Sequence, residues 1–270
     1  MQPIPIDDPD DPRIAVYRDI RERDLVGRNR RFIAEGKVVL DVLLTSRRFV
    51  AESALNLDAR LSGMAATLAK APPQVPVYVA SRDVIDRIAG FPLHRGVLAI
   101  GARGETLGPG ELLSNLPSRA VVLALVGISN HDNMGAIFRN AAAFGAAAVL
   151  MDATCCDPLY RKAIRVSVGA ALKVPFAVAG SKEDLLSALV AAGFDQVALS
   201  PAGRTDIRDL ARSERLALYL GTEGEGLPDD LLARLETVRI PIAEGFDSLN
   251  VSVAGAIALH EIRNRRNSAR

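Results

Sequence analysis

Ile240-Pro-Ile-Ala-Glu-Gly-Phe-Asp-Ser-Leu-Asn-Val-Ser-Val-Ala-Gly-Ala-Ile-Ala-Leu-His260 is the stretch on which the reading of this chain turns. After Gly245 it is apolar and rich in small residues on nearly every side, the pattern of a helix buried all round. Ser248, Asn250 and Ser252 nevertheless stand where that helix opens. A buried polar group without a partner costs about 1–3 kcal/mol. These side chains are therefore either satisfied by neighbouring backbone or reserved for a ligand.

Upstream of this stretch, apolar runs at 121–126, 147–151, 174–178, 196–199, 216–220 and 238–242 predict strands. Helical patterns at 134–144, 160–171, 182–192, 229–235 and 249–262 separate most of them. Continuous apolar strands alternating with helices predict an α/β domain whose parallel sheet is covered on both faces. Ligands of such sheets sit beyond the carboxyl ends of the strands, which directs attention to the loops at Gly127, Gly221 and Ile242. Two glycines and two prolines mark residues 107–117 as a linker. Ahead of it, residues 26–106 read as a smaller α/β domain preceded by an arginine-rich arm at 1–25, and residues 118–270 form the larger domain.

Composition narrows the classes. Hydrophobic content of 49% and charged content of 24% fit a folded globular chain. A formal charge of +1 excludes a strongly basic nucleic-acid coat but leaves room for a local patch. Cys155 and Cys156 are adjacent and close no long loop, and His94, His131 and His260 are scattered, so neither a disulfide framework nor a metal site is expected. The acidic, proline-rich start is unlike a signal peptide. No apolar run reaches the ~18 residues of a membrane helix. The expectation is a cytoplasmic protein without a membrane partner.

Candidate chemistry lies in three places. In Gly127-Ile-Ser-Asn-His-Asp-Asn-Met-Gly-Ala-Ile-Phe-Arg139, Asp132 or Asn133 is a natural helix cap. Arg139 stands four residues after Gly135, so it can reach back over bare backbone toward Asn133. An arginine beside a helix N-terminus suits a phosphate or a developing oxyanion; the plainer alternative is an exposed arginine on an amphipathic helix. In Leu220-Gly-Thr-Glu-Gly-Glu-Gly-Leu-Pro228, glycines let a ligand approach the backbone and Glu223 is placed to accept a hydrogen bond, although such a segment is often only a turn. In the opening stretch, Ser248 and Asn250 are either site residues or ordinary cap side chains.

Taken in order, these segments resemble the SPOUT superfamily, and within it the SpoU/TrmH branch of RNA 2′-O-ribose methyltransferases. Asn133-x-Gly135-x-x-x-Arg139 is similar to the first motif of that branch, Leu220-Gly-x-Glu223-x-x-Gly226 to the second, and Ile240-Pro-x-x-x-Gly-x-x-Ser248-Leu-Asn250-Val-Ser-Val-Ala254 to the third. Phe32-Ile-Ala-Glu-Gly-Lys37 and His94-Arg-Gly-Val-Leu-Ala99 are similar to the ribosomal-protein-like RNA-binding domain often fused to it. The resemblance implies a deep trefoil knot in the C-terminal domain, which periodicity alone would not propose because knots are nearly absent from proteins. It also implies a homodimer with an active site completed across the interface. S-adenosylmethionine would lie among Leu220, Gly221, Gly226, Ile240, Ile242 and Leu249 and give its methyl group to a ribose 2′-hydroxyl of tRNA or rRNA. Arg139 would stabilise the nascent alkoxide, Asn133 and Asn250 orient groups, Glu223 fix Arg139 or the hydroxyl, and Ser248 support the loop. Arg28, Arg30, Arg31 and Arg95 would hold RNA phosphates, against a solvated helix with internal ion pairs.

Two rival readings follow from the same residues. One is a non-catalytic RNA-binding protein on this fold. The other is a nicotinamide-dependent oxidoreductase, with Asp152 at the end of a strand as ribose ligand, although no G-x-G-x-x-G follows residue 126.

Overall fold

Strand-forming runs and helical segments alternate from the first residues of the chain in a computed structural model, which describes residues 2–18, 25–26, 29–89 and 96–267. Packing divides them into a unit of Met1–Glu105 with Pro158–Lys173 and a unit of Thr106–Asp157 with Val174–Arg270.

The first unit holds β1 (Ile4–Ile6), β2 (Arg31–Glu35), α1 (Lys37–Leu44), β3 (Phe49–Leu57), α2 (Leu61–Leu68), β4 (Val77–Ala80), α3 (Arg82–Ala89) and β5 (Val97–Arg103). Its sheet has the order β1-β4-β3-β5-β2, parallel between β1, β4 and β3 and antiparallel where β5 pairs with β3 and β2. The start of the chain departs from the expected free arm. Ile4–Ile6 adds an edge strand to β4, and the 3₁₀ turn Pro12–Tyr17 buries Ile14 and Tyr17 in the same core as Ile33, Leu55 and Leu98. The Tyr17 hydroxyl meets that of Ser53 at 2.7 Å, so the buried phenol is satisfied. Burial pushes its pKa up. Apolar residues interleaved among the charges carried this information; the charges themselves turn inward to one another, Arg13 with Asp11 and Arg18 with Asp10.

The second unit contains α4 (Pro109–Ser114), β6 (Ala120–Leu125), α5 (His131–Phe144) and β7 (Ala148–Met151). After α6 (Arg161–Val166) come β8 (Phe176–Val178), α7 (Lys182–Ala191), β9 (Asp195–Leu199), β10 (Thr205–Asp206), β11 (Arg215–Leu220), α8 (Asp229–Leu232), β12 (Glu236–Arg239) and α9 (Val251–Asn267). The sheet order is β10-β12-β9-β11-β6-β7-β8, parallel throughout its described pairs. Val122, Ala124, Leu150 and Ala217 are almost wholly buried, as strands covered on both faces require. The segment expected as a linker is part of this unit: Leu112 and Leu113 of α4 join its core.

The helix expected over 160–171 stops at Val166, because Val168 (φ 53°) and Gly169 (φ 81°) turn left-handed before a 3₁₀ turn at Ala170–Leu172. The domain expected at 118–270 is also interrupted here, since Pro158–Lys173 packs with the first unit. Buried Glu35 receives Arg161 at 3.4 Å and Arg165 at 3.9 Å. A carboxylate this buried requires cationic partners, which ties α6 to β2.

Candidate active site

β11 brings Leu220 to the carboxyl edge of the sheet, and the chain then closes a tight loop in which Thr222 N donates to Gly226 O at 3.2 Å. Gly221 is obligatory here: a Cβ would collide with the backbone of Gly226 and Leu227. β12 ends at Arg239, before Pro241 removes a ladder donor. This is earlier than the strand expected over 238–242. Residues 240–250 run irregularly to α9, which starts at Val251 rather than at 249.

Asn250 ends that irregular stretch with both halves of its amide engaged. Its Oδ1 accepts from Ser252 N (3.0 Å), Ser252 Oγ (2.6 Å) and Val253 N (3.3 Å), an arrangement that caps α9. Its Nδ2 donates to Asn133 Oδ1 at 2.9 Å. Asn133 lies in the first turn of α5 and is only 8% exposed. The cap of α5 is Asn130, whose Oδ1 accepts from Asp132 N and Asn133 N, and not Asp132 or Asn133. Asn140 donates to Ser252 O at 2.8 Å. Thus α5 and α9 are joined by two side-chain hydrogen bonds from residues far apart in sequence.

Between the two loops lies a cavity of about 420 Å³. Leu220, Gly221, Gly226, Ile240, Ile242 and Leu249 all line it, as do Glu223 and Ser248. Among its lining residues Glu223, Glu225, Asp229 and Asp247 are acidic and none is basic. The sequence reading missed Glu225, Asp229 and Asp247; their signal was the recurrence of acids within the two glycine-bearing segments.

Asn133, Asn250 and Arg139 are not in that lining. Arg139 is exposed and makes no hydrogen bond or ion pair with another described residue. Its expected reach toward Asn133 does not occur, for Asn133 faces inward to Asn250 and Arg139 lies about 240° further round α5. Nor does Glu223 hold it. The helix at 249–262 is likewise not buried all round: Leu249 is 39% and Val253 47% exposed, and Phe246 ahead of it is 75% exposed.

Asp152 does local work at the end of β7. Its Oδ1 accepts from Gly127 N (3.2 Å), Thr154 N (3.2 Å), Thr154 Oγ1 (2.8 Å) and Cys155 N (3.1 Å). Oδ1 of this buried carboxylate is taken up by these donors and holds two loops together, a structural role that weakens the main support for a nicotinamide site. Burial raises the Cys155 thiol and pushes Cys156 up to about 11, so neither is an activated nucleophile.

Of the arginines expected to meet RNA, Arg28 and Arg95 lie outside the described residues. Arg30 donates to Gly104 O at 2.9 Å, and Arg31 pairs with Glu52 at 2.7 Å. Among the described residues no cluster of His, Cys, Asp and Glu is arranged to hold a metal ion, and no helix is long and apolar enough to cross a membrane.

The sequence model of the SpoU rRNA Methylase family matches residues 120–260, the span that carries the cavity and the paired asparagines. An uncharacterised tRNA/rRNA methyltransferase of Mycobacterium tuberculosis is 40% identical over 263 residues, covering 94% of this chain and 89% of its own. The chain belongs to the SpoU rRNA Methylase family.

Solved structures agree with membership in this family of RNA methyltransferases. The AdoMet-bound rRNA methyltransferase from Sinorhizobium meliloti has a TM-score of 0.79 and 27% identity, covering 97% of this chain and 97% of its own. A crystal structure of an RNA 2′-O ribose methyltransferase has a TM-score of 0.78 and 26% identity, covering 98% of this chain and 100% of its own. The SpoU family assignment displaces the oxidoreductase reading.

Proposed function

We propose that the chain acts as a cytoplasmic homodimer that transfers the methyl group of S-adenosylmethionine to a ribose 2′-hydroxyl of tRNA or rRNA. The observation that carries this is the cavity of about 420 Å³, lined by all of Leu220, Gly221, Gly226, Ile240, Ile242 and Leu249 and rimmed by acids alone. Its volume falls within the ~300–1,000 Å³ of small-ligand sites. An acidic rim favours a donor carrying sulfonium and ammonium charges and opposes a dinucleotide pyrophosphate. The neighbours described as AdoMet-bound and as a 2′-O ribose methyltransferase support the same donor and acceptor.

When bound, S-adenosylmethionine supplies an electrophilic methyl group on a sulfonium leaving group. The protein then has to align the hydroxyl and stabilise charge on its oxygen. Alignment lowers barriers by about 7–11 kcal/mol, and one well-placed donor contributes about 3–4 kcal/mol more. Ser248 and Glu223, in the cavity wall, position the donor loop and the incoming hydroxyl. The Asn133–Asn250 hydrogen bond fixes α5 against α9 and so sets the opening of the cavity. Arg139, exposed and unengaged, serves the nucleotide phosphate and the alkoxide oxygen as an electrostatic partner; a guanidinium is a poor proton acceptor.

Phe246, Leu249 and Val253 expose apolar surface beside the cavity, which supports burial against a second copy and a site completed across that interface. A knotted path through β10, β12 and the loops about them is supported by the close approach at Gly203, where a Cβ would strike the backbone of Val238 and Arg239. Arg30 and Arg31, with Arg28 and Arg95, are proposed to contact RNA phosphates from the smaller domain. A non-catalytic RNA-binding role is disfavoured by the cavity itself, which a pure RNA-binding module would not need.

Thermal melting with added ligand tests the donor. S-adenosylmethionine and S-adenosylhomocysteine are expected to raise the melting temperature while NAD leaves it unchanged. Stabilisation by NAD alone would overturn the reading.

A further inference from the structure

A second cavity, of about 330 Å³, opens at the other edge of the same sheet. Arg119 precedes β6, Phe144 ends α5, and Arg263 and Arg266 lie on the last turns of α9, so separate elements converge on it. Its apolar surfaces come from Val121, Phe144 and Leu259. Each guanidinium group is anchored on backbone, although Arg119 and Arg263 are exposed. Arg119 donates to Arg266 O (2.9 Å), Arg266 to Glu214 O (2.8 Å) and Arg263 to Ala143 O (3.0 Å). Among the described residues the one carboxylate paired with them is Glu214, which lies 3.3 Å from Arg119 Nε and is 73% exposed. A guanidinium carries five N–H donors, and most of these remain uncommitted among the described residues. Burial lowers the pKa of Arg266, and the nearby Arg119 charge adds to this while Glu214 opposes it. Arginines at helix C-termini are ordinary complements of the helix dipole, and that accounts for Arg263 on Ala143 O. It does not account for three guanidinium groups anchored on backbone carbonyls around one cavity.

We propose that this cavity is a second RNA-binding subsite, in which Arg119, Arg263 and Arg266 grip a backbone phosphate while the apolar wall accepts the adjoining sugar or base. The inference rests on the reading of the chain as an RNA methyltransferase. Strands β6 and β11 separate the two cavities, and their six paired positions span roughly 20 Å at about 3.3 Å per residue. At about 3.4 Å per phosphate along one strand of a helix, the gripped phosphate lies roughly six nucleotides from the reacting ribose.

The test compares full-length wild type with the triple variant R119Q/R263Q/R266Q and with R263K, using an unmodified RNA substrate between 50 and 200 mM salt. The triple variant is expected to bind RNA roughly tenfold or more weakly. The slope of log affinity against log salt should fall by roughly 0.7–0.9, the value for the one phosphate charge no longer neutralised. S-adenosylmethionine affinity and oligomeric state should stay at wild-type values, the melting temperature should fall only by what the lost hydrogen bonds to backbone contribute, and R263K should retain most RNA affinity. RNA affinity and salt slope equal to wild type in the folded triple variant would overturn the proposal, as would a loss that appears only with a change in oligomeric state. Stabilisation of wild type by inorganic phosphate, abolished in the variant without any RNA effect, would overturn it in favour of a free-anion site. Should the triple variant fold poorly, R263Q alone carries the test by the same salt slope. Failure of wild type to bind any RNA would instead sink the methyltransferase reading together with this one.

Discussion

The two edges of the larger sheet carry opposite charge. At the carboxyl edge, Glu223, Glu225, Asp229 and Asp247 rim a cavity whose lining has no base; at the amino edge, Arg119, Arg263 and Arg266 surround another. A formal net charge of +1 conceals this division completely. A parallel sheet places all strand ends of one kind on one edge, so short loops at each edge can be charged independently. Under the proposed function, the acidic edge suits the cationic donor and the basic edge suits RNA.

The largest effect is expected from the residue that belongs to neither cavity lining. Arg139→Ala should lower methyl transfer by about 100-fold or more while S-adenosylmethionine binding, measured by calorimetry, stays unchanged. Undiminished single-turnover transfer would remove Arg139 from the chemistry. The pair behind the donor cavity comes next. Asn250→Ala deletes the α9 cap and strands the buried Asn133 amide, so chemical denaturation should register a loss of about 1–3 kcal/mol. Adding Asn133→Ala should cost less than the sum of the single changes. Strict additivity would mean that the hydrogen bond contributes nothing.

The charge contrast itself is sharpened by D247N/E225Q. Coulomb energies of about 1 kcal/mol at 4 Å in water predict a few-fold loss of S-adenosylmethionine affinity at low salt. The loss should be smaller for S-adenosylhomocysteine, which lacks the sulfonium charge, and should fade at high salt. Equal losses for both ligands would show that the rim does not sense charge. The smallest effect concerns the cysteines. Burial raises Cys156 from its usual value of 9.0 to about 11 and raises Cys155 as well. Thiols whose folded pKa is raised contribute no pH dependence below the unfolded pKa, and their contribution is lost as pH rises from about 9 through about 11. A melting temperature independent of these residues below pH 9, with Cys156→Ser flattening the alkaline decline, is the expected result.

Much of the larger domain was legible because its signals are local. Its apolar runs mark the principal strands, and the segments around Gly221, Ile240 and Leu249 mark the cavity at the carboxyl edge. What escaped depends on distant partners. Nothing near Asn133 announces Asn250, which lies more than a hundred residues away. The run at 160–171 is helical in pattern, yet left-handed backbone at Val168 ends it and Glu35 holds it to the smaller unit. The opening residues looked like a charged arm because charged residues outnumber the few apolar residues, Ile4, Ile6, Ile14 and Tyr17, that anchor them. Asp152 looked like a ligand until its hydrogen bonds to Gly127, Thr154 and Cys155 appeared. Arg139 was expected to fold back onto Asn133, yet it is exposed because Asn133 turns inward to Asn250.

The central claim is methyl transfer from a sulfonium donor to a sugar oxygen. It is tested most directly by incubating the protein with S-adenosylmethionine labelled in its methyl group and unmodified tRNA and rRNA, then hydrolysing the RNA with alkali. A 2′-O-methyl group blocks cleavage at its own phosphodiester, so the label should appear in alkali-resistant dinucleotides. Label recovered only in mononucleotides would mean a methylated base and would contradict the account.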